Sequence, residues 1–200
     1  MTRKRSLSML LALLTFLPLT EQAHAQSPPA PPVGDEPPKC GLASLPSDIQ
    51  TPIKRDFASW RIQEAQLLSE HARKAWASTN PQACPGIMVG LFQNSVTPSY
   101  AVLLVSPHHP DSGYKLIVYN RPEGKPLYEA VEIEHSDDPG ASNYFIRKVV
   151  LTDFFNEEVK KKFNAQSPEG ILLVHSAEQK HEANIYFFSN GSYRHEPVDH

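Results

Sequence analysis

Two imidazoles and a carboxylate stand within four consecutive positions at His108-His109-Pro110-Asp111. Imidazole nitrogen and carboxylate oxygen are the donors that hold a divalent metal such as zinc, and a metal with an open position activates water. His135 follows one expected strand later and could supply a third ligand across a sheet. His108, His109 and His135 are therefore the candidate metal ligands, and a metal-dependent hydrolase is the activity they would serve. Two features weigh against that reading. Adjacent side chains usually point apart, and Pro107, Pro110, Asp111 and Gly113 explain the segment as a turn-rich connection without a metal.

Glu132 and Glu134 are two apart in an alternating segment, so on a regular strand they share a face. That is the geometry a general acid–base pair of carboxylates needs, and also the geometry of two solvated charges. The sequence holds no G-x-S-x-G, no P-loop, no G-x-G-x-x-G and no C-x-x-C, and His195-Glu196 lacks the second histidine of H-E-x-x-H. No catalytic residue is assigned on these grounds and no cofactor is implied. Cys40 and Cys84 are the only cysteines. In an oxidising compartment they read as one disulfide, closing a loop worth about 4 kcal/mol in the chain-entropy model. A catalytic thiol would need one of them free beside a histidine.

Two helices, a run of strands and one inserted helix must position these groups. Ile49, Ile53, Phe57 and Trp60 recur at helical spacing over Leu45–Ser59, with Ser47 or Asp48 as the expected cap. Leu68, Ala72, Ala75 and Trp76 form a second stripe over Gln63–Ser78, ended by Asn80-Pro81. Both tryptophans read as core anchors. Strands are expected at 87–92, 100–105, 114–119, 127–135 and 145–151, with a turn at Asp137-Asp138-Pro139-Gly140. Asp153 caps an expected helix to about Asn164, where Phe155, Val159 and Phe163 recur every four residues. Strands at 170–176, 183–188 and 193–198 follow, the last two joined by Asn190-Gly191, a hairpin signal of the primed-turn kind. Segregated helices and hairpin-linked strands give an α+β class with a mainly antiparallel sheet.

The amino terminus reads as an address. Arg3-Lys4-Arg5, the apolar run Met9–Leu17 and Ala23-His24-Ala25 have the order of a secretory signal peptide, so residues 1–25 are expected to be removed and Gln26 to become the first residue. Residues 26–39 form a proline-rich linker, and 40–200 the α+β domain. No apolar run reaches the roughly 18–20 residues of a membrane-spanning helix. The 200 residues carry 19 Lys+Arg against 22 Asp+Glu. Cleavage would remove three of those basic residues and one acid, leaving an acidic chain unsuited to nucleic acid. The segment Asp56-Phe57-Ala58-Ser59-Trp60, with its helix and the following sheet, resembles small exported bacterial modules of the inhibitor-like kind. Six of the tyrosines (Tyr114, Tyr119, Tyr128, Tyr144, Tyr186 and Tyr193) offer interface anchors. The expected function is an exported, soluble, non-catalytic binding or inhibitor-type module. It would be periplasmic or secreted, with a protein partner in the cell envelope and no nucleic acid.

Overall fold

The segments YAVLLV (100–105) and YKLIVY (114–119) are apolar without a break, so strands made of them need cover on both faces. A computed structural model of the protein describes residues 40–79, 82–106, 112–156, 161 and 164–198 and shows how that cover arises. The chain divides into two units, Met1–Asp35 and Glu36–His200, and every described residue belongs to the second. The expected signal peptide 1–25, the linker 26–39, and His108 and His109 lie outside the described residues.

The elements run α1 (Ser47–Asp56), β1 (Arg61–Ile62), α2 (Glu70–Thr79), β2 (Ile87–Gly90), β3 (Ser99–Val105), β4 (Ser112–Asn120), β5 (Glu129–Pro139), β6 (Tyr144–Val150), α3 (Leu151–Phe154), β7 (Glu169–Ala177), β8 (Lys180–Ser189) and β9 (Ser192–Val198). The strands form two antiparallel sheets. In the first, β3, β4 and β5 pair in order, and β1 and β2 both pair with β3. The second has the order β6-β7-β8-β9. The α+β class with mainly antiparallel pairing holds.

Three apolar clusters define the layers. Ala101, Leu103, Leu116 and Val118 of the first sheet meet Ile146, Ile171, Leu173 and Tyr186 of the second. Val102, Leu104, Ile117 and Tyr119, on the other face of the first sheet, pack against Ile49 and Ile53 of α1. Phe145, Leu172, Val174 and Ile185, on the outer face of the second sheet, pack against Leu68 at the start of α2 and Ala72 within it. The order is therefore helix, sheet, sheet, helix. The two central strands have no alternation because both of their faces are core.

Several boundaries differ from expectation for physical reasons. Helix α1 is preceded by Pro46, and no side chain caps it. Asp48 instead lies 3.8 Å from Arg121. Helix α2 begins at Glu70, not Gln63, because Arg61 and Ile62 pair with Val105 and Leu104 and hold the chain extended. Ser69 then caps the helix, its Oγ accepting the Ala72 N–H at 3.3 Å. Strand β5 runs through Asp137-Asp138-Pro139, and the chain turns at Gly140, whose φ of 111° is glycine territory. The helix expected to be capped by Asp153 instead starts at Leu151, with Asp153 inside it, and α3 ends at Phe154, because Phe155 is extended and packs its ring on Phe187; residues 157–160, 162 and 163 of the expected helix lie outside the described residues.

Candidate functional site

Strand β2 is four residues long and stands at one edge of the first sheet, and β6 stands at one edge of the second. The Ile146 N–H of β6 donates to the Pro85 carbonyl at 2.9 Å, so the chain entering β2 is fastened to the second sheet. Glu169 closes the other end. One of its oxygens accepts the Leu91 N–H at 2.6 Å, and the other lies 3.2 Å from Lys148 Nζ. Between these fastenings lies a cleft of about 360 Å³ lined by Trp76, Cys84, Ile87, Met88, Tyr100 and Arg147, among others.

The electrostatics of the cleft are uneven. Lys148, on its wall, is balanced by Glu169. Arg147 is half-buried and makes no ion pair among the described residues. The Trp76 Nε1 is withdrawn from solvent and has no hydrogen-bond partner among the described residues. Tyr100 packs edge-on to Tyr128, ring centroids 5.5 Å apart. Among the described residues the lining contains no carboxylate and no imidazole, and Cys84 in it is bonded to Cys40 with a Cα–Cα distance of 5.3 Å. Such a surface offers a cation and apolar walls. It can hold a ligand.

His135, Glu132 and Glu134, singled out from sequence, fall elsewhere. His135 Nδ1 lies 3.2 Å from Glu132 Oε1, and Lys115 Nζ lies 2.9 Å from Glu132 Oε2. Lys115 also sits 5.5 Å above the Trp60 ring, so this group belongs to the outer face of the first sheet. The other two candidate metal ligands, His108 and His109, lie outside the described residues. Among the described residues, no three His, Cys, Asp or Glu side chains gather as a metal would need.

The expected carboxylate pair is split. Leu116 pairs with Glu134 and Ile117 with Glu132, a register shift that leaves Ile133 as an extra residue. Glu132 therefore turns to the outer face, while Glu134 faces the second sheet and accepts the Tyr186 hydroxyl at 2.8 Å. Burial, reinforced by Glu134, raises the Tyr186 phenol far above its ordinary value. His175 stacks on Tyr144 at 4.6 Å, and burial, helped by Lys180, lowers its imidazole pKa.

Arg147 and Trp76 were not read as site residues. The signal was present in one form: Arg147-Lys148 interrupts an otherwise apolar strand segment. Trp76 carries no such mark, since its helical spacing is that of a core residue. No helix among the described residues is long and apolar enough to cross a membrane. Compared with protein-family models, with curated proteins and with solved structures, the chain matches none of the three.

Proposed function

We propose that the protein is an exported, non-catalytic module of binding or inhibitor type that takes its ligand in the β2–β6 cleft. The observation that carries this reading is Arg147, a half-buried cation that, among the described residues, has no ion pair and lies in a cleft lined by neither carboxylate nor imidazole. A half-buried guanidinium that keeps part of its surface in the cleft can form a charge-assisted pair with an anionic ligand. The Cys40–Cys84 bridge fits an oxidising compartment, as the amino-terminal signal pattern does.

The test is capture. The chain from Gln26 onward, immobilised, is exposed to a cell-envelope fraction of its source organism, beside an Arg147→Glu variant with the same circular dichroism spectrum. The wild type should retain a species that the variant does not. Equal retention by both, or none by either, would overturn the binding reading. Export is tested separately by sequencing the amino terminus of the protein from its host. Gln26 is the expected first residue, and a product that keeps residues 1–25 would refute export by this route.

A further inference from the structure

We infer that the β2–β6 cleft is a site for a small monocarboxylate with an apolar body, held at its carboxylate by the Arg147 guanidinium. The inference rests on the binding reading above and adds the chemical class of the ligand. Three features of the cleft set that class.

Charge comes first. The cleft carries Arg147 and Lys148, but Lys148 is countered by Glu169 at 3.2 Å. One uncompensated positive charge remains, which suits a monoanion better than a phosphate dianion. Donor geometry comes second. A guanidinium presents parallel N–H groups that match the two oxygens of a carboxylate. Trp76 lines the cleft with its ring, while its indole nitrogen is withdrawn from solvent and leaves the carboxylate to Arg147. Size and polarity come third. The volume of about 360 Å³ lies near the lower end of the range of small-molecule sites, roughly 300–1,000 Å³. Ile87, Met88 and Tyr100 supply apolar wall for a ring or a short alkyl chain.

The disulfide gives the site its rigidity. Cys84 lines the cleft three residues before Ile87, and its bond to Cys40 fixes the chain that enters β2. Preorganisation of this kind lowers the ordering cost of binding.

Hydrocinnamate serves as the probe and hydrocinnamamide, its neutral isostere, as the control. Both are titrated into the chain from Gln26 onward by calorimetry and by tryptophan fluorescence. Trp76 reports on the cleft, and a Trp76→Phe variant identifies its share of the signal. The acid should bind saturably and the amide about tenfold or more weakly, the ratio expected for losing a charge-assisted pair. Arg147→Gln should weaken the acid by a similar factor and leave the amide unchanged. Equal binding of acid and amide by the wild type would overturn the carboxylate assignment and leave the binding reading intact. Absence of binding by the acid would also overturn it, while the capture experiment decides the binding reading on its own. The acid–amide comparison uses the wild type alone, so it stands even if Arg147→Gln fails to fold.

Discussion

Gln63 does more for this fold than any residue of its polarity should. It is fully buried, and its side-chain nitrogen donates to the Tyr144 carbonyl at 2.9 Å and the Ala141 carbonyl at 3.2 Å. Both acceptors lie where the chain leaves β5 and begins β6, so one amide fastens the crossover between the sheets. Its backbone N–H donates to Leu103 of β3 at 2.9 Å, which places Gln63 in line with β1. Its carbonyl oxygen is approached so closely by Gly86 that a Cβ there would lie 2.3 Å away, and only glycine fits. Gln63→Leu keeps the approximate volume and removes both donors. The buried Ala141 carbonyl and the part-buried Tyr144 carbonyl would lose this partner at about 1–3 kcal/mol each, offset in part by removal of the buried Gln63 Oε1, which has no partner among the described residues, so a loss of roughly 1–3 kcal/mol is expected. Urea unfolding of the oxidised protein measures it. A loss below roughly 0.5 kcal/mol, the range of ordinary surface changes, would mean that the two carbonyls find other donors.

At the scale of elements, what could be read locally was read, and what depends on distant pairing was not. The Asn190-Gly191 hairpin is local. Both residues have positive φ, 51° and 82°, and join β8 to β9 as the dipeptide implies. The stripes Ile49/Ile53 and Leu68/Ala72 are likewise intrinsic to their segments and bury as their spacing requires. The start of α2 is not local. Residues 63–69 carry a helical pattern, but Arg61 and Ile62 are claimed by β3, some forty residues on, and the helix waits for Ser69. The same applies to β5. The turn formers Asp137-Asp138-Pro139 sit in a strand because β4 is there to pair with, Ser112 opposite Pro139, and edge strands tolerate proline. One register shift at Ile133 then undid the shared face of Glu132 and Glu134, since slipping by one residue reverses every side chain beyond it. The cleft was least legible of all. It is assembled from α2, β2, β3 and β6, so Trp76 and Arg147 come to line one cleft only through tertiary packing.

For the molecule as a whole, the two sheets are bound by tyrosines as much as by aliphatic side chains, and this makes stability depend on alkaline pH. The Tyr186 hydroxyl reaches Glu134 across the interface, and the Tyr193 hydroxyl donates to Asn120 at 2.8 Å. Tyr114 is buried between the sheets, and Tyr119 is buried beneath α1 with its hydroxyl unpartnered among the described residues. Burial is the leading cause of a raised phenol in each case, to about 12 for Tyr119 and higher for Tyr114, Tyr186 and Tyr193. An unfolded phenol ionises near 10. Above that pH the unfolded chain therefore releases protons that the folded chain retains. Stability is then fully present below about pH 10 and lost as pH rises through the folded values. Each such phenol contributes a slope of about 1.4 kcal/mol per pH unit, so the three most buried (Tyr114, Tyr119 and Tyr186) together remove about 4 kcal/mol per unit. A domain of ordinary stability, about 5–15 kcal/mol, cannot sustain that for long. Unfolding between about pH 10 and 12 is expected, with tyrosinate absorbance and loss of circular dichroism rising together in one transition. Tyr119→Phe sharpens the test. It removes one titrating group and an unpartnered hydroxyl, so stability at neutral pH should be kept and the alkaline slope should fall by about 1.4 kcal/mol per unit. Phenols that ionise near pH 10 while the circular dichroism stays native would refute the account.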